Sequence, residues 1–160
     1  MGCYPTAQIC MGGHAITDSL EISPELSANF CDLCGRETIS KCQKCDTNIR
    51  GDYNVDGVVA LGGTYSAPKY CHDCGSSYPW TNEALEVAYD LADVLDELSD
   101  EEINNLKITI DELVQDGPKA DVASAKFKKT VSNSGPSIAN SFNNILSGVL
   151  SEAIKKSIWG

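Results

Sequence analysis

The stretch FCDLCGRETISKCQKCD, residues 30–46, carries two Cys-x-x-Cys pairs within seventeen residues. One such pair supplies two ligands to a metal ion that takes four, so each pair needs a second pair from elsewhere in the chain. Upstream, AQICMGGHAI holds Cys10 and His14 in a Cys-x3-His arrangement, and downstream YCHDCGSSYPW holds Cys71 and Cys74. Four pairs make two tetrahedral sites, the geometry zinc prefers. Sequential pairing puts Cys10, His14, Cys31 and Cys34 in one site and Cys42, Cys45, Cys71 and Cys74 in the other. Cross-braced pairing, first with third and second with fourth, is the rival, and the seven residues between Cys34 and Cys42 do not exclude it. The gaps of 16 and 25 residues within the sequential sites suit zinc ribbons, where a hairpin carries one pair to the next, and sequential pairing is the expectation.

Each pair is followed by a residue suited to a left-handed turn that aims backbone N–H groups at sulfur: Gly35, Gly75 and, after Cys45, Asp46. Gly12 and Gly13 give the Cys-x3-His loop similar freedom. His72 lies inside a knuckle and is expected at the surface, off the metal, and Cys3 is expected as a free thiol near a frayed terminus. Catalytic zinc keeps an open position, whereas each set here has four protein ligands. No Glu stands beside a ligand histidine as in zinc deaminases or proteases, and the chain has only two histidines. The expectation is two structural zinc ions and no enzyme activity.

Eight cysteines in a chain with no apolar leader region argue for a reducing compartment and for metal over disulfides. No apolar run approaches the roughly 20 residues of a membrane span. MGCYPT fits an acylation pattern with Cys3 beside it, but without basic support. The formal charge of −11 is spread unevenly along the 160 residues. Residues 1–80 hold five bases, Arg36, Lys41, Lys44, Arg50 and Lys69, against nine acids. Residues 81–116 hold twelve acids and one base, and residues 117–160 six bases and two acids.

Residues 48–70 read as short strands in a long hairpin, with a turn at Val55-Asp56-Gly57 and a strand at VVAL before Gly62-Gly63. The Arg-Gly-Asp at 50–52 reads as coincidence in a reduced intracellular protein, and Gly62-Gly63 lacks the Lys-Ser/Thr of a phosphate loop. Tyr65, Tyr70, Tyr78 and Trp80 are expected to cover the small core.

From Trp80 onward cysteine disappears and the apolar period becomes helical. Thr81 reads as an N-cap with Trp80 and Leu85 as a hydrophobic staple, and Leu85, Ala88, Leu91, Ala92, Leu95 and Leu98 form the first stripe. Ser99 and Glu102 form a capping box for a second helix, with Ile103, Leu106, Ile110, Leu113 and Val114 as its stripe, although KITI could also be extended. Gly117-Pro118 ends it. A third helix is expected from about Lys119 to Val131 and a last one after Gly135-Pro136, with Ile138, Phe142, Ile145, Val149 and Ile154 in one stripe.

AQICMGGHAI, FCDLCG, IRGDY, YCHDCGSSYPWT, KFKK and SIWG together resemble a family of uncharacterised bacterial proteins, nearly end to end. The resemblance implies N-terminal zinc-ribbon motifs and a bacterial cytoplasmic setting, which sets the acylation match aside, and it brings no activity with it. The fold expected is α+β: a double zinc-ribbon domain over 1–80, then a helical domain of three to four helices over 81–160, acidic to 116 and basic and amphipathic beyond. The function expected is a cytoplasmic adaptor that binds a protein with a basic or apolar surface. Nucleic-acid binding is the alternative, and the last helix is a weak candidate for contact with a membrane surface.

Overall fold

Ala7, Ile9 and Ile49 are fully buried, and their placement follows from a small sheet. The computed structural model describes residues 2–59, 61 and 63–160. Met1 of the acylation match, Ala60 of VVAL and Gly62 lie outside the described residues. Three short antiparallel strands, β1 (Gln8–Cys10), β2 (Ala15–Thr17) and β3 (Thr38–Ile39), lie in the order β2-β1-β3. Ile9 pairs with Ala15 on one side and with Ile39 on the other. The hairpin β1–β2 therefore carries the Cys10–His14 loop at its tip, and β3 leads on from the first Cys-x-x-Cys.

The chain divides into two compact units, Met1–Asn82 and Glu83–Gly160. In the first, Ala7, Ile9, Ile49, Tyr78 and Trp80 pack with the cysteines Cys42 and Cys71. Tyr78 stacks on Trp80 with ring centroids 4.8 Å apart, and Trp80 Nε1 donates to the Pro68 carbonyl at 2.9 Å. Tyr65 and Ala67 pack against the same cluster, whereas Tyr70 lies at the surface.

Residues 48–70 depart from the expected long hairpin. The turn forms, with Val58 N–H donating to the Val55 carbonyl at 3.1 Å, but Val58, Val59 and Leu61 form no strand and are exposed. The segment before the turn pairs with the N-terminus instead. Cys3 and Asn54 exchange two backbone hydrogen bonds of 2.8 Å, Ala7 N–H donates to Ile49 O at 2.8 Å, and Gly51 N–H donates to Pro5 O at 2.7 Å. Cys3 is thus a paired residue with an exposed thiol and does not sit on a frayed end. A Cβ at Gly51 would fall 1.7 Å from the Asp18 carbonyl oxygen, so only glycine allows this approach.

In the second unit and its approach, five helices follow among the described residues: α1 (Pro79–Asp93), α2 (Asp100–Gln115), α3 (Ala120–Asn133), α4 (Pro136–Leu146) and α5 (Glu152–Trp159). Helix α1 starts two residues before the expected cap. Pro79 takes the first helical position, where its missing N–H costs nothing, and the Tyr78 carbonyl accepts from Thr81 N–H at 3.0 Å. Thr81 is fully buried inside the first turn and its hydroxyl donates to Lys69 O at 2.9 Å, so neither the Thr81 cap nor the staple built on it forms. The Ser99–Glu102 capping box forms in full, and KITI is helical. Asp116 ends α2 in the left-handed region at φ 53°.

The expected last helix is two helices, α4 and α5. Ser151 caps α5, accepting from Ile154 N–H at 3.3 Å, which fixes a second helix start inside the predicted stripe. The core of this unit centres on Phe127, which meets Phe142 edge-on at 5.4 Å and Trp159 at 6.1 Å. Leu106, Ile110, Leu113 and Val114 of α2 and Ile154 and Ile158 of α5 complete it. Tyr89 hydrogen-bonds Asp111, and Lys107 pairs with Asp93 at 2.6 Å. Lys126 and Lys129 line a groove beside Glu102, Asn105 and Thr109. Among the described residues, no helix is long and apolar enough to cross a membrane.

Candidate metal centres

All three Cys-x-x-Cys pairs are built by one local device. The N–H of the first cysteine donates to the carbonyl five residues on: Cys31 to Arg36, Cys42 to Thr47 and Cys71 to Ser76, each at 2.8 Å. Its carbonyl accepts from the N–H four residues on, from Gly35 at 2.8 Å, Asp46 at 2.9 Å and Gly75 at 3.0 Å. Those three residues have φ of 73°, 62° and 73°, the left-handed region that glycine enters freely and Asp tolerates. Each loop is closed by a single bridge, Phe30 with Glu37, Lys41 with Asn48 and Tyr70 with Ser77. These turns bring both sulfurs of each pair to one group.

The Cys10–His14 loop reaches the same end by a hairpin. Cys10 N–H donates to His14 O at 2.9 Å, Gly13 N–H donates to Cys10 O at 2.9 Å, and His14 N–H donates to Cys10 Sγ at 3.2 Å. A Cβ at Gly13 would stand 3.0 Å from Trp80 Cβ, so this loop rests on the indole that anchors the other end of the unit.

The structure gathers the eight residues in two groups, in the sequential arrangement. In the first, Cys10 Sγ lies 3.5 Å from His14 Nδ1 and 3.6 Å from Cys34 Sγ, and Cys31 Sγ lies 3.7 Å from His14 Nδ1. In the second, Cys42 Sγ lies 3.7 Å from Cys74 Sγ, and Cys45 Sγ 3.7 Å from Cys71 Sγ. Within each group all four donor atoms lie within 4.8 Å of one another. A disulfide needs sulfurs about 2.05 Å apart, so none is formed, and all eight cysteines are free. Cys10, Cys31, Cys42 and Cys71 are buried while His14, Cys34 and Cys74 are exposed, so each group lies half in the surface. His72 and Cys3 belong to neither group.

Thiols packed this closely share their protons unequally. Hydrogen bonds from Ser76, side chain and backbone, bring the Cys74 thiol down to about 6. Thr47 acts to lower Cys45, but burial and the neighbouring Cys74 and Cys71 push it up to about 11. Cys71 is lowered, chiefly by the Cys74 N–H. In the first group burial raises Cys10, while Cys31 is lowered against its burial by the N–H groups of Leu33 and Cys34. Burial and the nearby Cys71 and Cys42 push the Tyr78 phenol up, so Tyr78 stays neutral beneath the second group. The Arg36 side chain approaches the first group, since a Cβ at Gly12 would stand 3.6 Å from both Arg36 Nη1 and Cys10 Sγ.

Each group is therefore positioned to bind one metal ion with thiolate-rich ligands. No curated protein and no solved structure matches the chain. A family model described as "Uncharacterized protein conserved in bacteria (DUF2321)" matches residues 3–158, a span that takes in both Cys/His groups, and the chain belongs to that family.

Proposed function

We propose that the chain is a structural zinc protein of the cytoplasm, without catalytic activity of its own, that acts as a protein-binding or adaptor module. The observation that carries this is that the protein supplies four donor atoms to each group. With Zn–S of about 2.3 Å and Zn–N of about 2.0–2.1 Å, a tetrahedron has S···S edges of about 3.8 Å and S···N edges of about 3.5–3.6 Å. The separations of 3.5–3.7 Å fit those edges without rearrangement. Three thiolates with one imidazole, or four thiolates, are donor sets that suit zinc, and a filled coordination shell leaves no place for an activated water. When bound, the ions tie chain segments together, and this chain's residues hold them and turn N–H groups toward sulfur.

Charge favours a protein partner over nucleic acid. Binding to phosphates rests on lysines and arginines that displace counterions, and residues 1–80 have five against nine acids. Seven thiolates with two divalent ions leave a further −3 there. Free thiols in a metal-binding role match a reducing compartment. Cobalt(II) substitution tests the closed coordination. Its visible bands should report tetrahedral thiolate sites and should not change when azide is added. Bands that shift with azide reveal an open position and overturn the non-catalytic reading.

A further inference from the structure

The three equivalent knuckles differ in what they display. At the position before the first cysteine stand Phe30, Lys41 and Tyr70, and just before the second stand Leu33, Lys44 and Asp73. The backbone hydrogen bonds are the same in all three. Lysine at both positions of the second knuckle shows that this turn needs no apolar side chain there. Yet Phe30 is 64% exposed and Leu33 76%. Just upstream, Ile22 is 62% and Leu26 53% exposed, and the 3-10 turn Pro24–Leu26 buries none of its residues. Neither the metal site nor the core of this unit uses these four side chains. Phe30 and Leu33 stand on one knuckle loop, closed by the Phe30–Glu37 bridge, and exposed apolar side chains on one loop mark a contact surface.

We propose that Phe30 and Leu33 dock a partner segment that presents apolar side chains beside lysine or arginine, in effect a basic amphipathic helix. This rests on the adaptor reading and gives it a location. The charge around the patch selects the partner's sign. Glu25, Asp32 and Glu37 are exposed among these residues, with Arg36 the lone base between residues 21 and 37. Phe30 and Glu37 face each other across the knuckle's bridge, which puts an aromatic ring and a carboxylate side by side. An apolar centre rimmed by one sign of charge is matched by an apolar stripe flanked by the other. Bound zinc fixes the loop in advance, so docking orders little new chain.

The test is a fluorescence-anisotropy titration of the metal-loaded full chain with a labelled synthetic helix of leucine and lysine. The double variant Phe30→Ser/Leu33→Ser should weaken binding by about tenfold or more, as removal of central anchors does. Val87→Ser/Val94→Ser is the control, because these exposed residues, in α1 and just after it, lie among the acids of the other unit and should leave affinity unchanged. Metal content equal to wild type shows that the Phe30/Leu33 variant is folded, and unchanged helical circular dichroism shows the same for the Val87/Val94 control. Unchanged affinity in the Phe30/Leu33 variant overturns the location, while the adaptor reading survives on another surface. No binding by the wild type overturns both the location and the partner chemistry. A wild-type dimer that the Phe30/Leu33 variant converts to monomer shows a second copy to be the occupant, and also overturns the proposal.

Discussion

The sulfurs of Cys42 and Cys74 stand 3.7 Å apart with 31 residues of chain between them. That separation matches the S···S edge of about 3.8 Å of a tetrahedral zinc site, the role proposed for the second group. If these zinc ions are structural as proposed, the first unit's fold depends on them, and removing one ligand should remove one ion. Cys42→Ser is expected to lose one zinc and to loosen the packing of Ile49 and Tyr78, which share its cluster. Cys3→Ser, outside both groups, should keep the full stoichiometry. Metal analysis with amide NMR of the two variants checks both outcomes.

Gly51 offers a test of the pairing between the N-terminus and residues 49–54. A methyl group there would collide with the Asp18 carbonyl oxygen at 1.7 Å. Gly51→Ala should destabilise the first unit by about 1–3 kcal/mol, the usual cost of overpacking. Thermal unfolding of the zinc-loaded protein measures it.

Ser99 should matter to the second unit alone. Its hydroxyl accepts from Glu102 N–H at 3.3 Å, and Glu102 accepts from Ser99 N–H at 2.8 Å. Ser99→Ala should cost about 1 kcal/mol by losing the cap. Chemical denaturation followed by helical circular dichroism checks the loss, with zinc content unchanged.

Acid should release the metal, because protons compete for the thiolates. The sign follows from Cys74, lowered to about 6 by Ser76. A lowered thiol contributes stability that is complete above the unfolded value of about 8.5 and is lost as pH falls through the folded one. The second centre should therefore hold its ion at neutral pH and lose it progressively as the pH falls. A chromophoric zinc chelator followed across a pH series reads the release.

The gathering of the Cys/His residues into two groups was legible because Cys-x-x-Cys with a following Gly or Asp encodes its own turn. Gly35, Asp46 and Gly75 do adopt the left-handed conformation that the sequence calls for. The Ser99–Glu102 box was legible for the same reason, being a signal contained in four residues. Pairing of Cys3 with Asn54 was not, since a two-stranded contact across fifty residues leaves only a short alternation, Ala7 and Ile9, in the sequence. The start of α1 was misplaced because Thr81 is a good cap by type, while its hydroxyl is held by Lys69 O from a distant part of the chain. The break between α4 and α5 had a sign that the stripe concealed. The apolar spacing slips to five residues between Val149 and Ile154, with the capping Ser151 in the gap.

Two closed sites that each hold one structural zinc ion leave a direct signature in the elemental analysis of the purified full chain. The expected result is two zinc ions per chain, both removed by a strong chelator with loss of the first unit's folded NMR signals, where metal binding supplies about 10–16 kcal/mol per site. One ion per chain, iron in place of zinc, or a first unit that stays folded without metal would contradict it.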